Sequence, residues 1–170
     1  PEAERWTALR DDVWQGVNHK SYTAIYPPLW LLVAGGVVAL HDSVAAMKLF
    51  LVLCEAGCWL VLARLLRRRG QAPERLLIWA WHPAALVEIA GSGHNEPFGL
   101  LFVTLALLAL EMPRRPGAAA ALAAGALAKV VPALLALAWL RQLRLRNLAL
   151  AGLAGLALDL PYLDARQGLV

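Results

Sequence analysis

The sequence predicts an all-α protein, a polytopic transmembrane helix bundle with short, broken or re-entrant helices. Three observations lead there. First, 60% of the 170 residues are hydrophobic and the mean hydropathy is +0.58, against about 45–50% apolar residues in a soluble domain. Second, several apolar runs approach the roughly 20 residues needed to cross a bilayer. Third, a wholly polar stretch, Gly91-Ser92-Gly93-His94-Asn95-Glu96-Pro97, interrupts two of those runs. A His, an Asn and a Glu side by side at that depth are costly unless they face a protein-lined, wet cavity. The polar turn is therefore the first candidate site.

Residues 1–26 are polar and aromatic, with Trp6, Trp14, Tyr22 and Tyr26. They suit an extracytoplasmic loop lying on the membrane, where Trp and Tyr favour the interface. Residues 27–163 are expected to supply the membrane helices of one integral-membrane domain. Pro27-Pro28 opens an apolar helix to Leu40, about 20 Å long and too short to span easily. Val44 to Leu66 is the best spanning helix, and its tail of Arg64, Arg67, Arg68 and Arg69 marks the cytoplasmic end. Lys48 and Glu55 lie seven apart, on one face of that helix.

Leu76 to Ala90 heads outward, interrupted by Pro83, and Phe98 to Met112 returns to Arg114-Arg115. Each arm is about 22 Å long, so the polar turn between them is expected below the outer membrane surface. Ala118 to Leu140 is ambiguous. Arg115 and Arg141 flank it, so the charge rule puts both ends in the cytoplasm. Its length suits one crossing rather than two. A re-entrant pair of half-helices with Lys129 near the tip competes with a single crossing, and length favours the single crossing. Leu148 to Leu158 is the last run, with Asp159-Leu160-Pro161-Tyr162 as its exit to a loop.

The net charge is +4. Its basic clusters only punctuate the apolar runs, which argues against a nucleic-acid partner. Cys54 and Cys58, one helical turn apart, read as buried inert thiols. The small residues of 118–128 suit close helix packing. The chain opens at Pro1 without an initiator Met and ends at Gln167-Gly168-Leu169-Val170, and is read as truncated at both ends.

Ionisable residues inside a membrane are functional candidates by default. Lys129 suits a phosphate or carboxylate, against a Lys that snorkels from a helix end. Glu88 and Glu96 suit a base or hydrogen-bond acceptor, against an internal pair with His82, His94 or Lys48. His94-Asn95-Glu96 suits a sugar or phosphate, against a turn capped by Asn95. No HExxH or comparable spacing supports a metal site from His82, Glu88, His94 and Glu96. Phosphate-loop, nucleophile-elbow and Ser-His-Asp patterns are missing too.

Three stretches resemble, in order, the polyprenol-phosphate-dependent glycosyltransferases of the GT-C superfamily, in particular bacterial mannosyltransferase-like proteins. The first runs from Leu9-Arg10-Asp11-Asp12 through Val17-Asn18-His19 to Ile25-Tyr26-Pro27-Pro28-Leu29. It is similar to the end of that family's first extracytoplasmic loop. The second runs from Trp81-His82-Pro83 through Glu88 to Gly93-His94-Asn95-Glu96, like an Asn-Pro, Glu, Gly-His-Asn-Asp pattern. The third, Ala128-Lys129-Val130-Val131-Pro132, is like Lys-x-x-Pro. There are departures: His82 stands where Asn is usual, Glu96 replaces Asp, and Lys20 follows Asn18-His19 where Pro is common.

The resemblance implies a membrane enzyme that moves a hexosyl group, mannosyl being the best single choice, from a polyprenyl-phosphate donor to an acceptor hydroxyl on the extracytoplasmic face. Substrate-binding candidates are Asn18, His19, Tyr26, His82, Glu88, His94, Asn95, Glu96 and Lys129. No cofactor is expected beyond the lipid-linked sugar, which is substrate. The expected partners are membrane lipid, the polyprenyl-phosphate-sugar and a glycan or lipid acceptor, in a bacterial plasma membrane. The family's catalytic acid is expected upstream of Pro1, since Asp11 and Asp12 lie too near Asn18-His19. The piece alone is therefore expected to be inactive. The competing reading is a transporter or lipid flippase, because broken helices with intramembrane charges also mark transport sites. A non-catalytic membrane scaffold is a further alternative.

Overall fold

The computed structural model describes residues 10, 12–16, 26–112 and 114–163, and every described element is helical. Most of the expected surface loop 1–26, with Asn18 and His19, lies outside the described residues. Within it, Asp12–Gln15 forms one helical turn, and the Arg10 guanidinium sits 4.9 Å from the Trp14 ring centroid.

Helix α1 (Pro28–Leu40) starts where the Pro pair demands it, with Pro28 in the first turn, where its missing N–H is not needed. Helix α2 (Val44–Arg68) begins at Ser43, whose hydroxyl accepts from the Ala46 N–H at 3.1 Å. It ends on Gly70, at φ +62°. The Gln71 N–H reaches the Leu66 carbonyl and the Gly70 N–H the Arg67 carbonyl, closing the last turn. Arg67 and Arg68 complement the negative end of the helix dipole. Among the described residues, α2 alone is long and apolar enough to cross a membrane by itself. Pro28–Leu40 and Leu145–Leu158 are apolar but shorter.

The expected arm Leu76–Ala90 is not one helix. It is a tight turn at Pro73–Leu76, single helical turns at Leu77–Ala80 and Pro83–Ala85, and a wide π turn over Leu86–Gly91. Pro83 is the cause, since the residue before a proline is driven out of helical geometry and His82 is extended (φ −70°, ψ 119°). Helix α3 (Glu96–Glu111) then runs back, and α4 (Arg115–Ala128) follows antiparallel to it after a short connection.

Two corrections follow downstream. The single crossing expected over Ala118–Leu140 is broken. Lys129 is extended (φ −156°, ψ 137°) directly after α4, and helical structure resumes only at Ala133. Pro132 again explains the break, because it removes a donor and restricts Val131. Leu135, Ala136 and Trp139 pack on Ala118, Ala119 and Leu122, so the chain doubles back along α4. The loop expected from Asp159 is instead helical, within α5 (Leu145–Leu163).

Helix α3 packs chiefly between α2 and α4. Small residues let it come close: Gly99 faces Lys129 and Pro132, and Gly125 faces Phe102, Pro132 and the Gly99 carbonyl. A Cβ at Gly125 would stand 3.3 Å from the Cβ atoms of both Phe102 and Pro132, which are anchored to backbone. Gly125→Ala is expected to destabilise the protein by about 1–3 kcal/mol. At Gly57 the added methyl would meet only the flexible end of Leu101 at 3.1 Å, so Gly57→Ala is the milder change. Melting temperatures in detergent check the order, and equal loss at both sites would contradict it.

The bundle has two chemically different ends. At one, Arg69 pairs with Glu111, close to Arg67, Arg68, Arg114 and Arg115. At the other, the first turns of α2 and α3 meet the polar turn and the end of α4. Beneath that end lies an apolar layer of Leu51, Cys54, Ile89, Phe98 and Ala128. Cys54 and Cys58 are both buried and free.

Candidate functional site

The π turn delivers the polar stretch to the end of the bundle. Its wide pitch continues past Gly91: the Ser92 N–H donates to the Val87 carbonyl and the His94 N–H to the Glu88 carbonyl. Gly93 turns the chain at φ +78°, where a side chain would be strained and would also crowd Lys48. Lys48, in the first turns of α2, donates through Nζ to the Gly91 carbonyl and ties the turn to that helix.

Glu96 opens α3 and Lys129 directly follows α4. Because these helices are antiparallel neighbours, residues 33 apart in sequence meet, and Lys129 Nζ donates to Glu96 Oε1. Both charges suit their helix ends, the anion at an N-terminus and the cation at a C-terminus. His94 sits between two carboxylates, with Nε2 3.2 Å from Glu88 Oε2 and Nδ1 3.6 Å from Glu96 Oε2. The chain Lys129–Glu96–His94–Glu88 is thus one connected cluster. Its side chains are partly exposed, 32% for Lys129 and 43% for Glu96, so a ligand can reach them.

On this polar turn, burial pushes the Glu96 carboxyl up. The hydrogen bond from Lys129, a backbone hydrogen bond, and the charges of Lys129 and His94 outweigh burial and hold it below the usual carboxylate range. The resulting stabilisation is present above the usual carboxylate range and fades as the pH falls through the depressed value.

Two polar atoms here are buried without a hydrogen-bond partner, Asn95 Nδ2 and Glu96 Oε2. Asn95 stands at the position expected of a helix cap, but its side chain makes no capping hydrogen bond. One orphan is a donor and the other an acceptor, the pair that a hydroxyl group can satisfy. Beside Lys129 and Glu96 opens a cavity of 400 Å³ walled by Leu100, Val103, Val131, Pro132 and Leu135. A charged cluster therefore adjoins an apolar slot. Among the described residues, no three His, Cys, Asp or Glu side chains are grouped to hold a metal ion.

The structure brings together Glu88, His94, Asn95, Glu96 and Lys129. Tyr26 is joined to the start of α3 through tilted rings: its centroid is 6.2 Å from Trp30, and Trp30 is 5.8 Å from Phe98. His82 belongs elsewhere, lining a separate cavity with Glu55, Trp79 and Arg75. The break at Pro83 and the π turn shift the phase between His82 and His94, so they do not share a face. Sequence reasoning placed Lys48 and Glu55 on one face of the helix but missed what they do. Lys48 anchors the polar turn, and Glu55 accepts from the indoles of Trp59 and Trp79. Their seven-residue spacing was the available signal.

The profile of the family described as "Alpha-(1->6)-mannopyranosyltransferase, N-terminal domain" matches residues 4–146, a span that takes in the whole cluster. No curated protein and no solved structure matches the chain.

Proposed function

Because the chain belongs to the alpha-(1->6)-mannopyranosyltransferase N-terminal domain family, we propose that the protein transfers a mannosyl group from a polyprenyl-phosphate donor to an acceptor hydroxyl. Membership bears out the mannosyltransferase resemblance of the motifs and makes glycosyl transfer the general activity. Donor, acceptor and membrane face are our reading. One observation carries it: a Lys–Glu–His–Glu cluster, with an orphaned donor and an orphaned acceptor, shares its Glu96 and Lys129 with the wall of an apolar slot.

In this reading the Lys129 ammonium neutralises the departing phosphate, where negative charge grows as the sugar–oxygen bond breaks. Asn95 Nδ2 and Glu96 Oε2, buried without hydrogen-bond partners, turn outward on binding, so that one sugar hydroxyl accepts from Nδ2 and another donates to Oε2. The first prenyl units lie in the slot between Val103, Val131 and Leu135. Tyr26 and Trp30 border the same end and suit the lipid chain at the interface. Glu88 and Glu96 already interact with His94 or Lys129, so we assign them to binding, and the acceptor's proton to a carboxylate outside this cluster.

We place the bundle in a membrane with several of its helices crossing or re-entering. The span α2 supports this. So do exposed apolar side chains such as Leu53, Leu60, Ile78, Leu134, Leu137, Leu150 and Leu153, more than a water-facing surface carries. The basic end fits the cytoplasmic side, which leaves the site at the extracytoplasmic face.

The test is transfer of radiolabelled mannose from polyprenyl-phosphate-mannose by the whole protein and by Glu96→Gln. The variant is expected to lose about 10- to 100-fold in kcat/KM, matching one charged hydrogen bond of about 1.5–3 kcal/mol. Wild-type protein that moves the lipid between leaflets without transferring its sugar would favour a flippase instead.

A further inference from the structure

The basic end of the bundle carries a second built feature, remote from the polar cluster. A groove of 630 Å³ is lined by Leu60, Val61, Arg64, Arg67, Arg68 and Leu108. All but Leu108 lie on one stripe of α2, since positions 60, 61, 64, 67 and 68 recur every three or four residues. The stripe is graded. Leu60 and Val61 come first, and the arginines follow toward the helix end, over about 12 Å. Leu108 of α3 forms the opposite wall.

The charge there is not neutralised from within. Arg69 is paired with Glu111, and Arg67 Nε donates only to the backbone carbonyl of Ala63. Among the described residues, no carboxylate pairs with Arg64, Arg67 or Arg68. Residues 64–75 and 111–115 hold seven arginines against two carboxylates, Glu74 and Glu111. Three arginines held at the foot of an apolar stripe have the shape of an amphiphile's complement, with acyl chain along Leu60, Val61 and Leu108 and anionic headgroup among the guanidinium forks. Arginine binds phosphate oxygens bidentately, which a solvating surface charge does not require.

We propose that this groove binds an anionic phospholipid of the cytoplasmic leaflet, with the phosphate held by Arg64, Arg67 and Arg68. The proposal rests on reading α2 as a membrane span. Bound there, the lipid would bridge α2 and α3 at the end opposite the sugar site.

The experiment is native mass spectrometry of the whole protein released from mixed micelles of phosphatidylglycerol and phosphatidylcholine. Phosphatidylglycerol is expected to be retained at least tenfold over phosphatidylcholine. The triple change Arg64→Gln, Arg67→Gln, Arg68→Gln is expected to abolish the preference, at roughly fivefold per arginine. Should the triple variant fold poorly, Arg64→Gln alone is expected to lose its fivefold share. Replacing all three by Lys keeps the charge and is expected to retain a reduced preference. Equal retention of both lipids, or full retention by the Gln variants, overturns the proposal. Displacement of the lipid by millimolar inorganic phosphate also overturns it, since the groove would then be an ion site. Alkaline carbonate extraction separates the two levels. Protein released into the soluble fraction refutes the membrane reading itself, whereas protein that stays embedded without lipid preference refutes the groove alone.

Discussion

Lys129→Ala is expected to lower kcat for mannosyl transfer by about 10²–10³-fold while barely moving the melting temperature. The activity loss follows from the proposed role. Lys129 is the cation in the cluster that adjoins the apolar slot, and removing one preorganised donor from a developing anion costs about 2.7–4 kcal/mol of transition-state stabilisation. The small effect on stability follows from exposure. Lys129 and Glu96 are both about one-third or more exposed, and ion pairs of that kind contribute about 0–1 kcal/mol. Loss of the pair also leaves Glu96 facing His94 and Glu88 without its cation, so donor binding weakens as well. Lys129→Arg keeps a charge beside the end of α4 and is expected to retain more activity than Ala. A melting temperature that falls in step with activity would make Lys129 a structural strut and remove it from the phosphate.

The meeting of Lys129 with the polar turn shows where sequence reasoning stops. Both partners were legible as unusual, because ionisable residues in apolar runs are costly and therefore conspicuous. Their contact was not, since it depends on α3 and α4 packing antiparallel through Gly99, Gly125 and Ala128 across 33 residues of chain. The starts of α1 and α2 were readable because Pro27-Pro28 and Ser43 act locally. The break after Ala128 was misjudged because run length was weighed above two local facts. Pro132 restrains the residue before it, and Arg115 and Arg141 flank the segment with like charge. The doubling back of Leu135 and Trp139 onto α4 agrees with both facts. Leu145–Leu163 continues through Asp159 and Pro161, past its expected exit, and nothing local to Pro161 explains it.

Glu55→Ala is the substitution outside the polar cluster with the largest expected effect. Glu55 is only 4% exposed in the middle of α2. Its Oε1 accepts from the Trp59 indole at 3.0 Å and from the Trp79 indole. Its Oε2 is buried without a partner beside a 540 Å³ cavity that Arg75 and His82 also line. Truncation leaves two indole N–H groups without their acceptor in an apolar setting, at about 1–3 kcal/mol each. A total loss of about 2–5 kcal/mol is expected, read as a lowered melting temperature. Glu55→Gln keeps one acceptor oxygen and is expected to lose less. The consequence should reach the sugar site by a traceable route. Two side-chain hydrogen bonds tie the broken segment from Leu77 to Gly91 to α2, Trp79 on Glu55 and the Gly91 carbonyl on Lys48, beside the packing of Ile89 on Leu51 and Cys54. Losing the first leaves the π turn, and with it His94, with Lys48 as its one remaining polar tie to α2 beside the packing of Ile89. Activity should therefore fall in Glu55→Ala even at temperatures where the protein remains folded, and tryptophan emission should shift as Trp79 leaves its acceptor. An unchanged emission spectrum with wild-type melting would mean that the two indoles find other acceptors and that the segment is held by Lys48 and apolar packing.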